Sequence, residues 1–122
     1  MRNKEEERLQ VSCVSWFDYQ YPQFKKLLFA VPNGGSRNKI EAANLKKQGV
    51  RAGVSDLVFL YPCTDYPFLC VEFKALKGKQ SDEQKEFQKS VESVNGLYLI
   101  IRNFDEFKIN IENYIKYGKI IK

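Results

Sequence analysis

Apolar and polar positions recur along this chain with two different periods. From about Lys4 to Tyr19, Leu9, Cys13, Trp16 and Phe17 return every three to four residues, which places them on one side of a helix. Glu5, Glu6 and Glu7 fill its first turn, where the helix dipole favours acids, and Pro22 closes the segment. Leu27 to Val31 is an unbroken apolar run and reads as a buried strand, ended by the turn residues Pro32-Asn33-Gly34-Gly35. A second helix is predicted over Asn38–Gln48, with Asn38 and Glu41 in capping register and Gly49 at its end.

The period then shortens. Ser55–Tyr61 and Phe68–Lys74 are rich in β-branched and aromatic residues and are split by the turn-forming patch Pro62-Cys63-Thr64-Asp65-Tyr66-Pro67, so they read as a β-hairpin. The turn centre falls between Thr64 and Asp65, which sets Asp56 beside Glu72 and Phe73 at the open end. After a loop over Lys77-Gly78-Lys79-Gln80, Ser81 caps a helix running to about Ser93. Leu97–Arg102 is a further apolar strand. A last helix begins near Asn103, with Glu106 in capping register, buries Phe104, Phe107, Ile111, Tyr114 and Ile115, and ends at Gly118. The expected order is α-β-α-β-β-α-β-α: an α/β domain over residues 1–122, one mixed sheet flanked by helices, with no repeat or linker.

Charge and composition narrow the chemistry. The 122 residues carry 20 basic and 15 acidic side chains, a net +5, which suits a polyanion partner without demanding one. Several basic residues (Arg37, Lys39, Lys46, Lys47, Arg51, Lys74, Lys77, Lys79) lie near the hairpin in sequence, where each would serve equally as a solvated face. There is no histidine, which removes Ser-His-Asp and Cys-His catalysis. Cys13, Cys63 and Cys70 are odd in number and lack metal-site spacing, so Cys13 and Cys70 are expected as small core residues in a reducing cytoplasm. No apolar run reaches the roughly 18 residues of a membrane helix.

The candidate chemistry is the set Asp56, Glu72 and Lys74. Strand alternation points Glu72 and Lys74 the same way, and the hairpin brings Asp56 beside them. Two carboxylates at close range repel unless a proton or a cation intervenes, and oxygen-only ligands suit a hard ion, Mg²⁺ above all. A strand start and a solvated edge pair would account for the same three residues. The apolar neighbours tilt the balance, because a structural pair has no need to be desolvated.

In order along the chain stand Glu6-x-x-x-Gln10, Val31-Pro32-Asn33-Gly34-Gly35-Ser36-Arg37, Lys47-x-Gly49-Val50-Arg51-Ala52-Gly53-Val54-Ser55-Asp56-Leu57, Glu72-Phe73-Lys74 and Ser81-x-x-Gln84. Together these resemble the PD-(D/E)XK nuclease superfamily with its restriction-endonuclease-like fold, and more closely a stand-alone VRR-NUC domain of phages and mobile elements. The resemblance implies a metal-dependent DNA endonuclease. Glu6, Asp56, Glu72 and the carbonyl of Phe73 would hold Mg²⁺ or Mn²⁺. Lys74 would position the attacking water, Gln84 would order that region, and Asn33, Arg37, Lys39, Lys77 and Lys79 would face the phosphate backbone. By likeness to Holliday junction resolvases it implies a homodimer acting on branched DNA, beside a helicase or replication partner, with Tyr117, Ile120 and Ile121 available to an interface. Ser55 departs from the pattern, which has proline before the motif Asp. Three readings compete. Ser81 and Gln84 form a capping box without any catalysis. The whole chain would also serve as a nucleic-acid-binding module that keeps the fold, or as a metal enzyme acting on small nucleotides.

Overall fold

A computed structural model describes residues 3–32 and 38–117. Its elements are α1 (Lys4–Gln20), a 3₁₀ segment (Pro22–Leu27), β1 (Leu28–Ala30), α2 (Lys39–Lys47), β2 (Leu57–Phe59), β3 (Leu69–Phe73), α3 (Asp82–Ser93), β4 (Leu97–Ile101) and α4 (Phe104–Tyr117). The expected order is observed. The sheet runs β1-β2-β3-β4, antiparallel at the first two junctions and parallel at the third, with α3 as the crossover from β3 to β4.

Strand alternation divides β3 between two cores. Leu69, Val71 and Phe73 face α1 and α4, where Cys13, Phe17, Phe107, Ile111 and Tyr114 complete the main cluster. Cys70 faces α3 and joins Val91, Tyr98 and Phe87 in a smaller one. Both faces of β3 are therefore covered, and all five of its residues are buried. Aromatic edge-to-face contacts tie the helices to the sheet, as between Phe17 and Phe59, whose centroids are 5.3 Å apart at 81°. Tyr114 donates its hydroxyl proton to the Tyr61 carbonyl at 2.7 Å, fastening α4 to the loop after β2.

Three capping expectations hold. Asn38 Oδ1 accepts from the Glu41 N–H at 2.8 Å. Ser81 and Gln84 form a reciprocal box. Asn103 and Glu106 form another, with bonds of 2.9 and 3.2 Å. Cys13 and Cys70 are buried free thiols, as expected, and burial raises the Cys13 thiol from 9.0 to about 12.

The first strand differs from expectation. Leu27 closes the 3₁₀ turn, and only Leu28 of β1 is buried while Phe29 and Ala30 are exposed. An unbroken apolar run looks like a central strand, but β1 pairs only with β2 and is an edge of this sheet. The hairpin strands are also shorter than expected, and their register pairs Leu57 with Val71, which sets Asp56 opposite Glu72. The expected turn at Asn33-Gly34-Gly35 and helix stop at Gly118 lie outside the described residues. Among the described residues no helix is long and apolar enough to cross a membrane.

Candidate active site

Asp56 stands where the β2–β3 ladder ends. Lys74 sends its N–H to the Ile101 carbonyl on the β4 side at 3.0 Å. Phe73, one residue back, therefore directs its N–H toward β2. No β2 carbonyl receives it; the Asp56 side chain does, with Oδ2 at 2.7 Å. The backbone of Asp56 is held from the opposite edge, its carbonyl accepting from the Val31 N–H at 3.0 Å. Because N–H and C=O of one strand residue share a side, the Phe73 carbonyl opens toward Asp56 as well.

Glu72 is 1% exposed and lies on the α3 face of the sheet, the face that Asp56 shares by register. Its Oε1 accepts two hydrogen bonds: a very short one from the Tyr98 hydroxyl, and one from the Gln80 amide nitrogen at 3.2 Å. Its Oε2 is buried and accepts none, with Lys74 Nζ 3.8 Å away. The Lys74 side chain is itself 12% exposed, so this ion pair is largely withdrawn from water. Burial, and after it the neighbouring Glu72 carboxylate, push the Tyr98 hydroxyl well above its ordinary value.

Glu6 reaches the site region from α1. Its Oε2 accepts the N–H of Ala75 at 3.0 Å, just beyond the end of β3. Arg102 braces the same turn from behind, donating to the carbonyls of Ala75 at 2.7 Å, Leu76 at 3.3 Å and Gly78 at 2.8 Å. The turn carries the exposed Lys77 and Lys79 and leads into Gln80.

Gly53 and Ser55 place the segment before Asp56. Gly53 has φ +78°, and a Cβ there would stand 2.4 Å from the Glu83 carbonyl oxygen and 2.9 Å from the Gln84 nitrogen. Only glycine lets this segment lie against the first turn of α3. Ser55, where the resemblance leads one to expect proline, is buried and donates its hydroxyl proton to the Leu57 carbonyl at 3.0 Å. Gln84 spends its Oε1 on the Ser81 N–H at 2.8 Å. Lys39 is exposed on α2, a helix that buries none of its residues. Asn33, Arg37, Ile120 and Ile121 lie outside the described residues, as does the side chain of Tyr117.

Sequence reasoning overlooked Tyr98, Gln80 and Arg102. Tyr98 reads as one more apolar strand residue. Gln80 reads as loop, although a glutamine beside a helix cap was a visible polar candidate. For Arg102 the only signal is a lone cation ending a hydrophobic strand.

The donor set suits a hard divalent cation. A buried carboxylate oxygen without a hydrogen bond is unfavourable unless a positive charge answers it, and one lysine at 3.8 Å answers it only in part. Asp56, Glu72 and the Phe73 carbonyl are all oxygen donors on one strand end. Among the described residues no three acidic or cysteine side chains are gathered closely enough to enclose an ion. Glu6 is held by one oxygen on the Ala75 N–H, at the edge of this donor set.

A mixed four-stranded sheet between helices, with two acids and a lysine at the end of its central hairpin, is the arrangement of a nuclease-type domain, as the family match implies. The chain belongs to the VRR-NUC domain family, whose model matches residues 4–103. A solved structure described as a VRR_NUC domain protein shares this fold, with a TM-score of 0.79 at 22% identity, covering 95% of this chain and 92% of that one. No curated protein matches the sequence significantly.

Proposed function

We propose that this protein is a metal-dependent DNA endonuclease that hydrolyses phosphodiester bonds. The observation that carries the reading is the Glu72 carboxylate, buried with one oxygen lacking a hydrogen bond, in register with Asp56 and 3.8 Å from Lys74. A structural acid would be solvated or fully bonded.

Asp56, Glu72 and the Phe73 carbonyl would hold Mg²⁺, or Mn²⁺ in its place, with Glu6 as a further carboxylate ligand from α1. Such an ion, when bound, supplies a Lewis acid for the scissile phosphate and lowers the pKa of a water. Lys74, largely buried beside Glu72 at the strand end, would orient the attacking water and steady the charge that builds on the phosphate oxygens. The water oxygen bonds to phosphorus opposite the leaving oxygen as the P–O bond breaks; the water's proton passes to solvent and the departing oxygen takes one from solvent. Gln84 keeps an amide nitrogen beyond its capping bond and would order the water near Lys74. Asn33, Arg37, Lys39, Lys77 and Lys79 would contact the phosphate backbone and hold the DNA in place without reading its sequence.

The finer reading is a structure-selective enzyme of the Holliday-junction-resolvase kind, working as a homodimer on branched DNA beside a helicase or replication partner. It follows from the same resemblance and from the basic balance of the chain.

The test is cleavage of labelled four-way junction, flap, duplex and single-stranded DNA with Mg²⁺ or Mn²⁺, beside EDTA and Lys74→Ala controls. Paired symmetric nicks at the junction support the resolvase reading. Metal-dependent cuts elsewhere keep the nuclease and change its substrate. Binding with no cleavage of any substrate would point instead to a module that has kept the fold and lost the chemistry.

A further inference from the structure

We infer that Tyr98 and Gln80 are positioning residues that determine which oxygen of Glu72 meets a divalent cation. The inference rests on the metal-dependent reading of the same site and deepens it.

The two oxygens of Glu72 are treated differently. Oε1 takes both donors in reach, the Tyr98 hydroxyl and the Gln80 amide nitrogen, while Oε2 takes none. The donors come from separate elements. Tyr98 stands on β4 in register with Cys70, on the same face as Glu72. Gln80 lies in the loop before α3, and its amide nitrogen is also 2.9 Å from Gln88 Oε1. Gln88 in turn donates to Glu92 Oε2 at 3.2 Å along α3. A side-chain chain therefore runs up the helix and ends on Glu72.

With Oε1 saturated, bidentate coordination is disfavoured and Oε2, 3.8 Å from Lys74, is the oxygen left open. Glu72 is clamped as a one-oxygen ligand with its rotamer locked from both sides. Partners that orient ligating carboxylates in this way typically contribute about 10–100-fold in metal affinity. Neither residue touches the reacting atoms, so each acts through Glu72 alone.

The experiment is Mn²⁺ titration by calorimetry of the parent, Tyr98→Phe and Gln80→Leu, with melting curves in EDTA and junction cleavage across a range of Mg²⁺. Tyr98→Phe removes one hydroxyl from a packed ring, and Gln80→Leu changes a half-buried loop residue, so the second variant serves if the first folds poorly. The expected result is a Kd for Mn²⁺ raised about tenfold or more in each variant. Cleavage lost at low Mg²⁺ should return at high Mg²⁺. Residues that only stabilised the fold would lower the melting temperature and leave the Mn²⁺ affinity of folded protein unmoved. Parental affinity in both variants overturns the inference while leaving the nuclease intact. A parent that binds no Mn²⁺ and cuts nothing overturns the nuclease reading, and this inference with it. A parent that binds Mn²⁺ without cutting, with weaker binding in the variants, sustains the inference and removes only the catalytic claim.

Discussion

The side chain of Asp56 accepts the backbone N–H of Phe73 at 2.7 Å, in the place where a strand carbonyl would continue the ladder. One hydrogen bond thus does two things. It ends the pairing of β2 with β3 and leaves a carboxylate beside the buried Glu72. The same geometry separates the acids by role: Asp56 is held through its contact with main chain, Glu72 through side chains on one oxygen only.

Removing either acid should stop chemistry without stopping DNA binding. Asp56→Ala and Glu72→Gln are expected to lower cleavage by at least about a hundredfold, the scale on which a positioned electrostatic group contributes. DNA affinity should hold or tighten, because negative charge leaves the site. Single-turnover cleavage and gel-shift assays separate the two effects. An Asp56→Ala protein that cuts at the parental rate removes this residue from the mechanism.

Metal and stability should be linked through Glu72. In EDTA Glu72→Gln is expected to melt below the parent, because it leaves the largely buried Lys74 ammonium without its counter-charge. Ion present at a hundred times its Kd would stabilise the parent by about 2.7 kcal/mol and the variant by much less. Melting curves with and without Mn²⁺ check both statements, and an equal response of the two proteins refutes them.

Gly53→Ala should destabilise the fold by more than about 1 kcal/mol, since it combines a left-handed backbone with a clash against main chain. The Glu83 carbonyl at 2.4 Å is part of a helix and has nowhere to move. Cleavage should fall with it, because the same segment carries Asp56. Urea midpoints and activity measured side by side test the coupling.

Arg102→Met should loosen the Ala75–Gly78 turn. Three carbonyls lose a charged donor, worth about 1–3 kcal/mol in total if water replaces part of it. Amide exchange over residues 75–80 should quicken while β3 stays protected. Arg102→Lys is expected to restore little, because all three bonds come from the terminal Nη1 and the lysine side chain is one bond too short to place its nitrogen there.

Alkaline pH should unfold the protein through its buried weak acids. In the unfolded chain the Cys13 thiol loses its proton near 9.0, whereas in the fold burial holds the proton to about 12. Between those values the unfolded state binds fewer protons, so stability is complete below about pH 9 and falls as pH rises through the window. Tyr114, raised above 10.0 by burial and then by Cys63 nearby, adds in the same direction. Urea midpoints from pH 7 to 11 should decline, and less steeply in Cys13→Val. Equal slopes would exclude Cys13 as a source.

Much of this site was legible because its signals are local. Asp56, Glu72 and Lys74 follow from strand alternation and from folding a hairpin about its turn. The observed register differs by half a residue from the expected centre and leaves the pairing intact. The helix starts at Asn38, Ser81 and Asn103 were equally plain, since a cap is a short-range hydrogen bond between residues three apart. Phe29 was misjudged because its surroundings depend on which strand lies beside β1, and a run of apolar letters carries no information about neighbours.

Periodicity, capping and the acid-x-lysine triplet thus determined the order of elements, the mixed sheet between helices, and the residues at the end of the central hairpin. These depend on contacts within a few positions along the chain. What only the tertiary structure decided is how each acid is held: Phe73 on Asp56, Ala75 on Glu6, and Tyr98 and Gln80 on a single oxygen of Glu72. Those bonds join β4, α1 and two loops across as many as 69 positions. No pattern in a linear chain encodes them, because they exist only once packing has brought the elements to within hydrogen-bond distance.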